Sequence, residues 1–289
     1  MSNLMSLLFD TKAFRICEEN NPFWYTSGKI GPYFVNTHFL YGSESDANNL
    51  LDFINEQLAT EEKINIPSNI FKKVLEQYNT NEIYKNVIDS LKDYIEKNID
   101  IKEIDYISGG ERRDWYFSNL IAYLLQKPHL TIYKDLSIVE SSYDFTQNKV
   151  ITKLENKNVL HVADLLNVSS SYVRAWIPAI KDLGSKIVWS AVVVDRMQGG
   201  TEILKENNVV PLSLLQIDNS LFEKALELNI INNNQLTMLQ EFTKNPDETM
   251  RNFLIEHPEF LENCLNSSNE KTVKRAKLCI ENDLYNLKK

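Results

Sequence analysis

The stretch Val159-Leu160-His161-Val162-Ala163-Asp164-Leu165-Leu166-Asn167-Val168-Ser169-Ser170-Ser171 decides the fold of this chain. Its opening residues are apolar apart from His161 and read as a short buried strand. One acid, Asp164, stands at the strand's end, and a turn rich in small hydroxyl residues follows. A helix is expected over about 172–183, stopped by Gly184, because glycine readily takes the position past a helix end. Strand, turn and helix N-terminus together make an anion site, since free backbone N–H groups and the helix dipole both face the turn. An acid placed just before such a turn can hold a sugar hydroxyl or a metal while the turn holds a phosphate. That combination suits a phosphorylated sugar.

The strands and helices around this stretch extend the same layout. The segments 104–108, 129–133, 187–194 and 210–215 read as further candidate strands, with helices at about 114–126 and 171–183 between them. Strands alternating with helices imply an α/β fold with a mainly parallel central sheet and right-handed crossovers. Loops at the carboxyl ends of such strands converge on one crevice. Those ends carry residues 108–113, 133–135, 164–171 and 195–200. On the N-terminal side, helical spacing of apolar residues marks 45–58, 66–78 and 81–98, with Pro67 suited to a first helical turn. On the C-terminal side, Asn245-Pro246-Asp247-Glu248 and His257-Pro258-Glu259 read as helix starts, each placing proline and acids in a first turn. The expected organisation is therefore three parts: 1–100, a core at 101–217, and a helical extension at 218–289.

Glycine is scarce, with eight in 289 residues, so each position is informative about tight turns or close backbone approach. Gly184 fits the helix end. The other seven fall in three segments: Gly28, Gly31 and Gly42; Gly109 and Gly110; Gly199 and Gly200.

Composition is that of a globular protein. Hydrophobic residues make up 43% and charged residues 25%, both ordinary values. A net charge of −9 argues against nucleic acid as a partner. Cys17, Cys264 and Cys279 are too few and too scattered for a disulfide framework or a zinc site. His38, His129, His161 and His257 share no spacing that suggests a metal site or a catalytic triad, and His161 reads as a packed strand residue. There is no basic-then-apolar leader and no apolar run long enough to span a bilayer, so no membrane association and a cytoplasmic location are expected.

The layout at 159–171 resembles the phosphoribosyl diphosphate (PRPP) signature of type I phosphoribosyltransferases: a hydrophobic strand, two acids, two variable residues, then a Thr- and Gly-rich turn. Three more segments, in the same order along the chain, resemble the orotate phosphoribosyltransferase family. Thr26-Ser27-Gly28-Lys29-Ile30-Gly31-Pro32-Tyr33-Phe34 is similar to its N-terminal Ser-Gly-Arg-x-Ser-Pro-Tyr-Phe motif, which closes over the base. Ser108-Gly109-Gly110-Glu111-Arg112-Arg113 stands where the family has its diphosphate loop. Asp195-Arg196-Met197-Gln198-Gly199-Gly200 is similar to its Asp-Arg-Gln-Glu motif.

The resemblance implies a type I phosphoribosyltransferase-like core with an N-terminal hood, part of 60–100 being an insertion in it. It also implies a homodimer acting on PRPP and orotate with Mg²⁺, giving orotidine 5′-monophosphate in pyrimidine biosynthesis. By the same resemblance, Asp164 and Lys134 are the catalytic candidates. Ser108, Gly109, Gly110, Arg112, Arg113, Asn167, Ser169, Ser170 and Ser171 are the candidates for PRPP and its diphosphate. Lys29, Phe34 and Arg196 are the candidates for orotate. No set of residues reads as a protein metal site.

Each candidate also has a plainer reading. Asp164 and the serines can serve as helix caps, Arg112 and Arg113 followed by Asp114 as a surface charge cluster, and Asp195-Arg196 as an internal ion pair. The chain departs from the family pattern as well. Thr26 replaces a lysine, Ala163 replaces the first acid, and the segment 133–152, read as the mobile catalytic loop, has no histidine. Two further functions stay open on these grounds: a non-catalytic nucleotide- or PRPP-binding regulator, and transfer to a different base.

Overall fold

The computed structural model describes residues 2–287. The chain forms two compact units, Met1–Ala13 with Thr37–Ile217, and Phe14–Asn36 with Asp218–Lys289.

The second unit joins a short N-terminal segment to the C-terminal helices. Strands β1 (Phe14–Ile16) and β4 (Tyr33–Val35) pair antiparallel, as do β2 (Phe23–Trp24) and β3 (Ile30–Gly31). Aromatic side chains tie these strands to the helices. Phe14 stacks on Phe222 at 6.3 Å, Tyr33 meets Phe242 edge-on at 5.6 Å, and Trp24 stacks on Phe260 at 5.8 Å. The Tyr285 hydroxyl accepts the Ile30 N–H at 2.8 Å. The sequence expectation grouped 14–36 with the rest of 1–100, whereas these contacts put it with the helices after 218. Two of those helices begin where proline and acids foretold, at Pro246–Glu256 and Glu259–Leu265.

The first unit is built on a seven-stranded sheet. Its strands are β5 (Tyr106–Gly110), β6 (His129–Ile132), β7 (Ile138–Ser141), β8 (Asn148–Ile151), β9 (Asn158–Leu166), β10 (Lys186–Asp195) and β11 (Val210–Gln216). They lie in the order β11-β10-β9-β5-β6-β7-β8. The pairs from β11 through β6 are parallel, and β7 and β8 add an antiparallel hairpin at the edge. The fold is α/β, with a mainly parallel sheet and flanking helices. The central strands β9 and β10 are buried along almost their whole length, which is why they read as continuous apolar runs.

Helices Glu44–Thr60, Ile66–Thr80 and Glu82–Asn98 precede the sheet, capped by Ser43 and Asn81, whose side chains accept from Asp46 and Tyr84 N–H groups.

Two regions differ from expectation. The segment 133–152, read as a mobile loop, is largely the β7–β8 hairpin. Ile138 and Val139 are buried there, and Glu140 pairs across the strands with Lys149 at 3.3 Å. Strands of four residues are too short to give a clear alternation. The helix after the serine turn opens as a π-helix at Tyr172–Trp176 and continues as an α-helix at Ile177–Asp182. Pro178 lacks an N–H and crowds the carbonyl four residues back, so a wider turn there suits the sequence.

Candidate active site

Parallel strands β5, β6 and β9 deliver their carboxyl ends to the same edge of the sheet. β5 runs into the loop Glu111-Arg112-Arg113-Asp114, which opens the helix Trp115–Leu124. β6 leads through Tyr133 to Lys134. β9 carries Asp164 near its end and then turns at 167–171. A cavity of about 260 Å³ lies among these ends and is lined by Arg112, Arg113, Lys134, Asp164, Asn167, Ser169, Ser170 and Ser171, together with Glu111, Asp114 and Trp176.

The charges in this cavity are held by specific contacts. The Glu111 carboxylate accepts the Lys134 backbone N–H at 3.1 Å and pairs with its Nζ at 3.3 Å. Arg112 donates to the Asn55 side chain, and Arg113 is exposed at the cavity. The Glu111–Arg112 peptide is cis. Asp114 has its carboxylate turned back into the fold: Oδ2 accepts the Gly110 N–H at 2.9 Å and Oδ1 accepts the Asp164 N–H at 3.2 Å. His161 Nε2 lies 3.4 Å from Asp114 Oδ2, and His161 Nδ1 meets the Ser108 hydroxyl at 2.9 Å. Burial, and then the neighbouring Asp114 carboxylate, raise the Asp164 pKa to about 7, against a smaller opposing pull from Arg113.

Not every candidate faces this cavity. Ser108 is fully buried and bonded to His161, so its hydroxyl is not presented to a ligand. Gly109 and Gly110 were expected to offer N–H groups to phosphate. Instead they sit inside β5, opposite Thr131 and Ile132, and the Gly110 N–H is taken by Asp114. Their missing side chains have a packing cause: a Cβ at Gly109 would run into Ser118, and one at Gly110 into the Trp176 ring. Ser169 is buried in a left-handed conformation, and its hydroxyl donates to the Gly200 carbonyl at 2.8 Å. The Asn167 side-chain Oδ1 accepts the Val168 N–H at 2.7 Å. Ser170 accepts from Arg174 at 3.4 Å, and Ser171 is exposed.

Arg196 leaves the end of β10, outside the cavity lining, and its backbone N–H donates to Leu166 O at 2.9 Å. Asp195 spends one oxygen on the Met197 N–H at 2.8 Å and the other on Thr201 at 3.0 Å. Gly200 lets this loop press against the serine turn, because a Cβ there would overlap Asn167 O. Lys29 and Phe34 belong to the other unit. There Lys29 Nζ sits 2.7 Å from both Asp247 oxygens, and Phe34 packs against Phe23 and Tyr25.

No family model matches the chain. An orotate phosphoribosyltransferase of Methanosphaera stadtmanae is 31% identical over 140 residues, which cover 48% of this chain and 75% of that protein. The chain belongs to the orotate phosphoribosyltransferase family. The solved orotate phosphoribosyltransferase of Francisella tularensis shares the fold with a TM-score of 0.54 at 15% identity, over 84% of this chain and 98% of that one. UMP synthase of Leishmania donovani does so with a TM-score of 0.57 at 15% identity, over 84% of this chain. The chain spans 42% of the UMP synthase's length.

Orotate phosphoribosyltransferases are glycosyltransferases, and two features of this member's cavity were missed in the sequence. Glu111 was read only as part of a loop, and Asp114 only as one charge of a surface cluster. The available signal for Asp114 was its place at a helix start behind two arginines.

Proposed function

We propose that this protein transfers the phosphoribosyl group of PRPP to orotate, giving orotidine 5′-monophosphate and diphosphate. The observation that carries the reading is a single cavity at the strand ends that combines two arginines, a lysine, an acid and open serines. In this reaction the bond from C1′ to the diphosphate oxygen breaks as the bond from orotate N1 to C1′ forms, and the N1 proton is lost. C1′ becomes oxocarbenium-like while negative charge grows on the diphosphate.

Each group has a role that fits its position. Arg112 and Arg113 meet diphosphate oxygens with planar donor forks. Asp164 holds the ribose hydroxyls and faces the positive charge at C1′. Ser170 and Ser171, with the N–H groups of the turn, receive the 5′-phosphate. Lys134, 67% exposed on the Glu111 tether, reaches the leaving group. Arg196 stands outside this cavity at the end of β10, and the resemblance of Asp195-Arg196 to the family motif is what supports assigning it to the orotate carboxylate.

Among the described residues no group of three or more His, Cys, Asp or Glu side chains could hold a metal ion. Mg²⁺ therefore fits here as an ion carried on the diphosphate oxygens, with waters completing its shell. When bound there it neutralises the leaving group.

The test is diphosphate release from PRPP and Mg²⁺ with a panel of bases. Release with orotate and not with uracil or adenine supports the reading. Release with another base alone moves it to a different acceptor. PRPP binding without release under any base supports instead a regulator, a reading favoured by the lack of histidine in 133–152.

A further inference from the structure

Asp114 occupies the N-cap position of the helix Trp115–Leu124 but makes no side-chain hydrogen bond to that helix. Aspartate at this position ordinarily accepts from the second or third N–H of its own helix. Here the carboxylate points the other way. One oxygen accepts the Gly110 N–H at 2.9 Å, and the other accepts the Asp164 N–H at 3.2 Å. The first contact is to the last residue of β5, where the arginine loop begins, and the second is to the acid of β9. Between Gly110 and Asp164 there is no ladder contact to do this work, because the β5–β9 register ends at Ser108 opposite His161. Asp114 bridges the two strands beyond the point where their pairing stops.

We propose that Asp114 is the positioning residue of this site, its carboxylate fixing the arginine loop to the acid strand. Ala163 lines the same cavity and offers no carboxylate. The second carboxylate instead comes from another element. His161 Nε2 lies 3.4 Å from Asp114 Oδ2 with no hydrogen bond between them, and its other ring nitrogen meets the Ser108 hydroxyl. For its kinetic consequence the inference rests on the phosphoribosyl-transfer reading; its geometric consequence is independent of that reading.

Asp164 is surrounded by titratable groups from every neighbouring element. Glu111, Arg112 and Arg113 come from the loop, Asp114 and Tyr116 from the helix start, His161 from β9, Tyr172 from the helix after the turn, and Lys134 from the end of β6. Of the two carboxylates, Asp114 is the one whose charge pushes the Asp164 pKa up. Removing its charge makes Asp164 ionise at lower pH.

Two variants separate positioning from capping. Asp114→Ser keeps a good helix-capping oxygen but is too short to bridge both N–H groups. Asp114→Asn keeps the size and loses the charge. Both are to be folded by circular dichroism and assayed with PRPP, Mg²⁺ and orotate. The expected result is a fall in kcat of about tenfold to a hundredfold, the range for losing a charge-assisted hydrogen bond, with little change in the orotate KM. The acid limb of the kcat/KM profile should move to lower pH in both. Asp114→Ser with wild-type kcat and an unmoved profile would make Asp114 a helix cap and overturn the proposal. Carboxyl carbon NMR of Asp164, assigned by Asp164→Asn, gives a readout that needs no activity. Its midpoint should fall in both variants, and an unchanged midpoint rejects the proposal even if wild-type protein turns over no base. If wild-type protein is inactive but the midpoint falls, the reaction reading fails and the placement of Asp114 stands.

Discussion

Asp164 carries the clearest opposition between function and stability in this chain. Its folded pKa of about 7 lies above the ordinary 3.8. The native state therefore binds this proton more tightly than the unfolded chain does, and stability from this group is fully present below about pH 4. It is lost as pH rises through about 7. Asp164→Asn removes that loss, so its melting temperature should exceed the wild type's at pH 8, and the gap should close near pH 4. The same substitution should cut PRPP turnover by roughly a hundredfold or more, the usual scale for losing one electrostatic contact to a transition state. A folded variant with full turnover would reduce Asp164 to a structural acid.

Arg112 and Arg113 are expected to act at the diphosphate end. Alanine at either should weaken calorimetric binding of PRPP and of diphosphate and leave orotate binding nearly unchanged. Loss of orotate binding alone would place them at the wrong end of the pocket. Arg196→Ala should lower kcat/KM for orotate by about tenfold to a hundredfold and shrink the preference over uracil, since a charge-assisted bond is worth about 1.5–3 kcal/mol. Arg196→Lys should recover only part of this, because lysine cannot form the two-pronged contact. Full orotate selectivity in Arg196→Ala would leave Arg196 as a structural residue of the β10 loop.

Within single elements, the glycines of β5 illustrate how a sequence signal can be right about place and wrong about cause. Gly109 and Gly110 mark the start of the arginine loop, as their scarcity suggested. The reason is packing of Ser118 and Trp176 against the strand, not exposure of N–H groups to phosphate. Gly110→Ala should therefore destabilise the fold by about 1–3 kcal/mol, the usual range for an overpacked core, measurable by urea denaturation. A smaller side chain at position 176, as in Trp176→Leu, should recover part of that loss. A Gly110→Ala variant of wild-type stability would show that the indole yields freely. The β9, β10 and β11 strands were legible because stretches this rich in Val, Ile and Leu have few other uses. The β7–β8 hairpin was not, since its four-residue strands mix charge with apolar residues and draw their stability from the sheet edge they extend.

Across the whole molecule, the α/β class and the convergence of strand ends followed from the alternation of elements alone. The grouping of 14–36 with the C-terminal helices did not, because aromatic residues such as Phe14 and Trp24 announce burial without naming a partner hundreds of residues away. The inward turn of Asp114 was hidden for a similar reason: an Asp after two arginines reads as one more surface charge until its contacts are seen. Among the described residues no helix is long and apolar enough to cross a membrane. The most direct test of phosphoribosyl transfer is mass-spectrometric detection of orotidine 5′-monophosphate from PRPP, Mg²⁺ and orotate, run beside Asp164→Asn. Product formed by the wild type and lost in the variant is the expected result. No product from the wild type with orotate, with PRPP left intact, would contradict it.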